Sequence, residues 1–281
     1  MEKGIIFDIK EFAVFDGPSI RQTVFFKGCP LRCNWCHNPE GLHIQPELMV
    51  SVASCSHCGK CEEICIEEEC TLCGRCIPVC PLNLRRIVGE VITSEDLVAR
   101  IRRDSAYYET YGGGVTFSGG EPLMQPTFLL EVISKIPEIH KALETSGYSN
   151  EEIFKEVIND MDFVMMDIKI FDEELHKNHT GVSNEKILRN ASNLCKGDVP
   201  FIVRIPLIPG VNDNEKNFRN IAKLIKGARM LQKVELLPYH KTAGAKYSMI
   251  GETYSPIFNP ENDIHIPKNI FDEYGIRSEV L

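Results

Sequence analysis

Three cysteines lie close together early in the chain, in residues 27–40 (KGCPLRCNWCHNPE). Cys29, Cys33 and Cys36 have the spacing C-x3-C-x2-C and follow an apolar run that is typical of a strand. A structural zinc ion usually has four thiolate or imidazole ligands, whereas a [4Fe-4S] cluster held by three cysteines leaves one iron free to bind a substrate. His37 could complete a Cys3His zinc site, but it follows Cys36 directly and is poorly placed to bind the same ion. The spacing therefore favours an iron–sulfur cluster with one open iron.

Eight further cysteines form two consecutive runs with the spacing C-x2-C-x2-C-x3-C of bacterial ferredoxins. The runs are Cys55, Cys58, Cys61, Cys65 and then Cys70, Cys73, Cys76, Cys80. In two-cluster ferredoxins the fourth cysteine of each run binds the other cluster, which predicts that Cys80 completes the first cluster and Cys65 the second. Only residues 66–69 separate the runs, and a proline follows Cys80 but not Cys65, so this crossed assignment stays open. The alternative is that one run only holds the segment together.

Charged side chains occur inside or at the ends of apolar runs. Asp167 and Lys169 alternate with apolar neighbours, so both point to the same side of a predicted strand. Burying such groups is costly unless they are used, and the alternative is a buried structural ion pair. Arg204 lies inside the apolar run FIVRIPL, and His240 ends the last predicted strand. The sequence therefore predicts a polar site at one side of the sheet.

Glycines flank one of the apolar strands, at residues 112–114 and at 119–120 in the element Gly-Gly-Glu-Pro. Glycine allows the backbone to approach a ligand closely. The run lacks the phosphate loop G-x-x-x-x-G-K-[ST] and lacks a G-x-G-x-x-G that opens a helix. The glycines therefore do not indicate a site for nucleotide phosphates.

Short runs rich in Val, Ile and Phe alternate with helical patterns, which is typical of β/α units around a parallel sheet. The predicted strands are 20–27, 114–117, 141–145, 163–169, 201–207 and 233–237, and the predicted helices include 127–136 and 151–159. Ser149 and Glu152 have the spacing of a capping box for the second of these helices. The first two predicted strands are separated by many more residues of sequence than the other consecutive strands. Residues 46–92 are therefore predicted to be a small metal-stabilised insert in a domain formed by 1–45 and 93–281.

The composition is that of a globular protein, with 43% hydrophobic and 25% charged residues in 281. The net charge of −9 argues against binding to nucleic acid or to an anionic membrane. No apolar run approaches the ~18 residues of a transmembrane helix, so we expect a cytoplasmic protein. Eleven of the twelve cysteines lie between Cys29 and Cys80, and in a reducing cytosol such a cluster indicates metal ligation rather than disulfides.

Four longer motifs resemble those of glycyl radical enzyme activating enzymes, such as the pyruvate formate-lyase activating enzymes, in the radical S-adenosylmethionine (SAM) superfamily. They are DGPSIRQTVFFKGCPLRCNWCHNPE (16–40), GGGVTFSGGEPLMQ (112–125), Asp167-Ile168-Lys169 and LLPYH (236–240). The resemblance implies an α/β fold, a partial (β/α)6 TIM-like barrel with an inserted ferredoxin-like iron–sulfur subdomain. Barrel enzymes place their ligand-binding residues at the C-terminal ends of the strands. Ser19 stands where the family usually has glycine, which could alter how a partner's backbone approaches this turn.

The resemblance also implies which residues bind the cofactors. Cys29, Cys33 and Cys36 would hold a [4Fe-4S] cluster whose open iron is chelated by SAM, and with Lys169 they would form the catalytic set. The Gly-Gly-Glu-Pro element would cradle the methionine amino group, Lys169 would counter the carboxylate of SAM and Asp167 would contact the ribose region. The implied SAM-binding residues are Trp35, Cys36, His37, Gly119, Gly120, Glu121, Asp167, Ile168, Lys169, Arg204 and His240.

The activity that the resemblance implies is reductive cleavage of SAM to methionine and a 5'-deoxyadenosyl radical. The radical would remove hydrogen from a backbone glycine of a partner glycyl radical enzyme. Two further [4Fe-4S] clusters in the insert would relay electrons from reduced flavodoxin or ferredoxin, and the oxygen sensitivity of such groups implies an anaerobic cell. Two alternatives remain: a radical SAM enzyme that acts on a small molecule, and a polyferredoxin-type electron carrier without catalysis.

Overall fold

The structure, a computed structural model, describes residues 1–66, 69–267 and 269–281. The strands in this part of the chain are β1 (Lys3–Ala13), β2 (Arg21–Phe26), β3 (Glu47–Val50), β4 (Arg85–Val88), β5 (Glu90–Thr93), β6 (Gly114–Gly119), β7 (His140–Thr145), β8 (Phe163–Asp167), β9 (Phe201–Leu207), β10 (Leu231–Pro238) and β11 (Ser278–Val280). The α-helices are α1 (Lys60–Glu63), α2 (Ser94–Arg102), α3 (Ser105–Tyr111), α4 (Pro126–Ser134), α5 (Glu151–Asn159), α6 (Glu173–Thr180), α7 (Glu185–Lys196) and α8 (Glu215–Ile225). A longer 3-10 helix, Ala243–Ile250, follows β10.

Nine of the described strands form one sheet in the order β11-β10-β9-β8-β7-β6-β2-β1-β5. All pairs from β2 to β11 are parallel, whereas β1 pairs antiparallel with both β2 and β5. Parallel neighbours need crossover connections, and α4, α5, α6 with α7, and α8 supply them between β6 and β10. The carboxyl ends of the parallel strands consequently meet at one edge of the sheet, where barrel enzymes carry their sites.

The six predicted strands are all present, as β2 and β6 to β10, and the predicted α/β class with a partial (β/α)6 barrel is confirmed. The strand predicted at 163–169 ends earlier, at Asp167, so Ile168 and Lys169 lie just past β8. The pattern did not predict β1, β5 and β11, which lie at or next to the edges of the sheet. The sequence therefore predicted the centre of the sheet and missed its borders.

The helices pack their apolar faces against the sheet. In α8, for example, Phe218, Ile221, Ala222 and Ile225 are buried at the spacing of one helix face. The helix predicted at 151–159 has these bounds, while the one predicted at 127–136 begins at Pro126 and ends at Ser134. The predicted capping box is wrong, because Asn150 is the residue that precedes α5 and the Ser149 hydroxyl donates to the Asn150 carbonyl oxygen instead.

The cysteine-rich segment carries its own two-stranded antiparallel sheet, formed by β3 and β4. It is joined to the barrel by the fully buried Lys27, whose ammonium donates to the Glu47 carboxylate at 2.5 Å and to the Glu40 carbonyl oxygen at 2.7 Å. Residues 90–92, which the sequence prediction placed in the insert 46–92, pair in β5 with β1 and belong to the main sheet. Glu67 and Glu68 of the predicted insert lie outside the described residues.

Among the helices of the described residues, none combines the length and the apolar character needed to cross a lipid bilayer.

Candidate active site

A cavity of about 360 Å³ opens at the carboxyl edge of the parallel strands. The loop after β2 contributes Cys29, Cys33, Trp35, Cys36 and His37 to its wall. Opposite them lie Gly119 and Gly120 at the end of β6, and Asp167 and Lys169 at the end of β8. The structure thus brings together nine of the residues that the sequence singled out for cofactor binding, from three separate parts of the chain.

The loop that carries the three cysteines is fixed by backbone hydrogen bonds to its neighbours. Gly28 has φ +95°, a conformation that favours glycine, and its N–H donates to the Gly41 carbonyl oxygen at 2.9 Å. Two further bonds reach the end of α6. The Arg32 N–H donates to the Thr180 carbonyl oxygen at 2.7 Å, and the Asn34 N–H donates to the His179 carbonyl oxygen at 3.1 Å. These bonds involve the backbone only, so the loop is held independently of the thiols that it presents.

The three thiols surround a common space and are withdrawn from water. Burial raises the pKa of Cys29 and of Cys36, and it raises the pKa of Cys33 to about 12 although the nearby Lys169 ammonium opposes that rise. Because metals bind the thiolate form, loading this site must release the thiol protons, and Lys169 favours that release at Cys33.

Cys29, Cys33, Cys36 and His37 all line the same cavity. Cysteine ligands of a cubane each bind a different iron and therefore surround a larger volume than the ligands of a single ion. A cavity lined by three thiols is compatible with such a cluster, and the Cys3His zinc site with His37 stays the alternative.

Gly119 and Gly120 form part of the cavity wall, the glycine wall, and pack too closely against neighbouring backbone to accept a side chain. A Cβ built on Gly119, which has φ +115°, would lie 2.4 Å from the Phe26 nitrogen. A Cβ built on Gly120 would lie 2.4 Å from the Gly28 carbonyl oxygen and 2.5 Å from that of Gly41. The same turn donates two hydrogen bonds of 2.8 Å to the backbone that leads into the cysteine loop, from Gly120 to Phe26 and from Glu121 to Gly28.

Replacing Gly120 by alanine should therefore cost the protein its three-cysteine cluster. The added methyl group must displace the carbonyl groups of Gly28 and Gly41, which position the cysteine loop. We expect the reconstituted Gly120→Ala variant to lose about four iron atoms per chain, measured as iron content and as the loss of one cluster signal in electron paramagnetic resonance (EPR).

Gly197→Ala is the matched control for this substitution. Gly197 follows α7 with φ −82°, and its nearest neighbour would lie 3.5 Å from an added Cβ, so the loop and the cluster should be unaffected. A Gly120→Ala protein with the full iron content and an unchanged signal would contradict the role assigned to the glycine wall.

Asp167 and Lys169 form an ion pair in the cavity wall. Their Oδ2 and Nζ atoms are 2.6 Å apart, and their side chains are 21% and 13% exposed. Burial lowers the pKa of Lys169, but Asp167 and the Cys33 thiol outweigh it and raise that pKa above its usual value. The ion pair that the sequence left as an alternative is thus present. It lies in the cavity wall and not in the core. In the cavity, the charged ammonium of Lys169 can meet an anionic ligand.

The carboxylate of Glu144, which the sequence places at the end of the third predicted strand, is held in the same cavity. Glu144 at the end of β7 accepts from the Arg204 guanidinium at 2.5 Å and from the Ser118 hydroxyl at 2.5 Å. Burial raises the pKa of Glu144, but Arg204 outweighs it and keeps that pKa below its usual value. The sequence contains two indications of this contact: an acidic residue near the end of one strand, and an arginine inside an apolar strand that lies two strands away in the sheet.

Four of the predicted SAM-binding residues have side chains outside the cavity wall. Arg204 is buried beside it, donating to Glu144, Glu235 and the Phe15 carbonyl oxygen, so it acts on the cavity through Glu144. The Glu121 carboxylate accepts from the hydroxyl groups of Thr145 at 2.6 Å and Ser146 at 2.5 Å.

Ile168 and His240 are the other two predicted SAM-binding residues whose side chains lie outside the cavity wall. Ile168 is fully buried in the main core, because successive side chains alternate in direction, and only its backbone can face a ligand. His240 is exposed beyond the end of β10 and lies 2.8 Å from the Thr242 hydroxyl. A motif assigns these residues by position, whereas the structure shows where their side chains point.

The insert contains a second cavity, of about 220 Å³, that is surrounded by cysteines. Cys55, Cys58 and Cys61 of the first run line it together with Cys80 of the second run. This is the set that the crossed ferredoxin assignment puts on one cluster. Of the other four cysteines, Cys65, Cys70 and Cys73 are exposed and Cys76 is half-buried.

Comparison with known proteins gives consistent matches. Residues 23–222 match the family model of the radical SAM superfamily. The chain is 39% identical to the 4-hydroxyphenylacetate decarboxylase activating enzyme of Clostridioides difficile strain 630, over 98% of this chain and 95% of that protein. It is 40% identical to the trans-4-hydroxy-L-proline dehydratase activating enzyme of Clostridioides difficile, over 89% of each protein. A solved radical SAM methyltransferase from Sphaerobacter thermophilus is similar in fold, with 14% identity and a TM-score of 0.53 over 100% of this chain and 76% of that one.

Proposed function

Because the chain belongs to the radical SAM superfamily and, within it, to the glycyl radical enzyme activating enzymes, we propose that it activates a partner glycyl radical enzyme. A [4Fe-4S] cluster and SAM are the cofactors that this membership implies. When bound, the reduced cluster would supply the electron for cleavage of SAM to methionine and a 5'-deoxyadenosyl radical, which would take a hydrogen atom from a backbone glycine of the partner. The chain's own residues bind these cofactors, orient them and exclude water.

One observation carries this proposal: a single cavity joins the three-cysteine loop, the glycine wall and the Asp167–Lys169 pair. Cys29, Cys33 and Cys36 would hold the cluster, and Trp35 and His37 would line the neighbouring wall. Gly119 and Gly120 would bring the backbone close to the methionine part of SAM, since both line the cavity without side chains. Lys169 supplies a fixed positive charge for the carboxylate of SAM, and Arg204 holds Glu144 at the cavity wall.

The partner is a glycyl radical enzyme, and similarity alone does not choose which one. Two relatives of nearly equal identity are named for different partners, a decarboxylase and a dehydratase. Candidate partners can therefore be tested one by one in an anaerobic incubation with dithionite and SAM. Activation requires both 5'-deoxyadenosine and a glycyl radical EPR signal, and the signal should vanish when the radical-bearing glycine of the partner is replaced by alanine.

The same incubation separates the proposal from its rivals. An electron carrier without catalysis would form no 5'-deoxyadenosine. An enzyme for small molecules would form 5'-deoxyadenosine without transferring a radical to any glycyl radical enzyme, and would consume a small substrate instead. Either result would overturn the proposed function.

We further infer that the insert holds two [4Fe-4S] clusters that pass electrons to the barrel cluster. Support comes from the cavity shared by Cys55, Cys58, Cys61 and Cys80, which unites cysteines of both runs. Reduced flavodoxin or ferredoxin is the proposed electron donor. The exposure of Cys65, Cys70 and Cys73 on the second run offers such a protein a surface approach to that cluster.

Two insert clusters and one barrel cluster predict about twelve iron and twelve acid-labile sulfide atoms per reconstituted chain, because each cubane contains four of each. Iron and sulfide analysis after anaerobic reconstitution measures this directly. A reproducible value near eight would mean that the insert holds a single cluster.

A further inference from the structure

Arg85 lies against the ligands of the predicted first insert cluster. It is the first residue of β4, is half-buried and pairs with Val50 of β3. Its side chain lines the cavity that Cys55, Cys58, Cys61 and Cys80 surround. A guanidinium therefore stands at the wall of the first cluster site, on a strand that the insert's own sheet holds in place.

The same face of β4 meets the second cysteine run. Arg85 and Ile87 are two residues apart in a strand and share one face. A Cβ built on Gly74, which lies between Cys73 and Cys76, would be 3.8 Å from Ile87 Cδ1. The second run therefore packs on the side of β4 that also carries Arg85.

The electrostatic surroundings of Arg85 agree with this placement between the runs. The Arg85 side chain lies close to the sulfur atoms of Cys76 and Cys61. Cys61 belongs to the predicted first cluster and Cys76 to the second. One guanidinium is therefore close to a ligand of each.

Other cations of the insert have different surroundings. Arg75 donates to the Cys73 sulfur at 3.3 Å in the second run, and Lys60 lines the first cavity. Arg86, next to Arg85, points to the opposite face of β4, where it donates to Met49 Sδ at 3.3 Å and is exposed. Arg85 lies near ligands of both runs, whereas Arg86 faces the other side of the strand.

We propose that Arg85 is a shared cation between the two insert clusters that raises the reduction potentials of both. The inference rests on the proposed two-cluster insert. Each cluster gains one negative charge when it accepts one electron, so a cation at the cysteine sulfurs stabilises the reduced state. The five donors of a planar guanidinium allow it to serve two sulfurs at once, which a lysine ammonium does less well. Arg85 thereby makes both clusters easier for a donor protein to reduce.

The test is a dithionite titration of the reconstituted full-length protein, followed by EPR at controlled potentials. Removing the charge in Arg85→Gln should lower the equilibrium constant for one-electron reduction of each insert cluster by about tenfold, or about 59 mV per cluster. Arg86→Gln removes the same charge one residue away and serves as the matched control, with less than a twofold change expected. Arg85→Lys keeps the charge and should lower both constants by an intermediate amount.

Iron analysis separates the possible failures. With about twelve iron atoms per chain, potentials that are unchanged in Arg85→Gln, or that change equally in Arg86→Gln, overturn the role of Arg85 and leave the proposed function intact. A shift in only one insert signal also overturns it. A wild-type value near eight iron atoms removes the second cluster and the inference with it. Should Arg85→Gln fail to retain its clusters, the neutral Arg85→Met variant decides: wild-type potentials in it overturn the proposal, and potentials lowered as expected for Arg85→Gln support it.

Discussion

Replacing Cys33 by alanine is expected to reduce 5'-deoxyadenosine formation to the background of a protein-free incubation. The loop keeps its position in this variant, because Arg32 and Asn34 on either side donate backbone hydrogen bonds to the end of α6. Only the buried thiol is lost, and with it one of three ligands of the cluster that must donate the electron. Cys29→Ala and Cys36→Ala should behave alike.

Two measurements show that the loss is local. The insert cysteines lie between β3 and β4, which form a sheet separate from the main one, so the EPR signals of the insert clusters should persist in Cys33→Ala. Cys195→Ala is the matched control, because Cys195 lies on α7 outside the cysteine-rich segment and should keep wild-type activity. Retained 5'-deoxyadenosine production by the Cys33→Ala protein would refute the assignment of the cluster to this loop.

The sequence predicted the central strands because strands that are buried on both faces are continuous apolar runs, as FVMMD in β8 and FIVRIPL in β9 show. The border strands lack this signal. β1 alternates apolar and charged residues along an edge region, and β11 is only three residues long. Their pairing depends on neighbours that are distant in the sequence.

The candidate site was predictable to the extent that it depends on residue type and local spacing. The cysteine loop and the alternation of Asp167 with Lys169 are local patterns, and both reach the cavity. The bond between Arg204 and Glu144 joins two strands that are not neighbours, so spacing could not predict it. The engaged carboxylate of Glu121 and the exposed ring of His240 likewise depend on tertiary contacts that no single motif encodes.

The second large effect is expected at Lys169, whose replacement by methionine should raise the dissociation constant of SAM by roughly 10- to 150-fold. A charge-assisted contact contributes about 1.5 to 3 kcal/mol, and every 1.4 kcal/mol is tenfold in affinity. The structure adds a second reason, because methionine leaves the Asp167 carboxylate without its 2.6 Å partner and directs an unpaired negative charge at the carboxylate of SAM. Isothermal titration calorimetry of the reconstituted variant measures the change.

Controls distinguish this charge from general damage to the fold. Lys155→Met breaks an exposed pair with Glu151 on α5 and should leave SAM affinity unchanged. Lys169→Arg should rescue binding poorly, because the planar fork needs more room than a compact ammonium between Asp167 and the cysteine loop. Iron content must stay at the wild-type value in all three variants. If Lys169→Met then binds SAM with wild-type affinity, the ion pair in the cavity wall is structural, and the carboxylate of SAM must be held by another group.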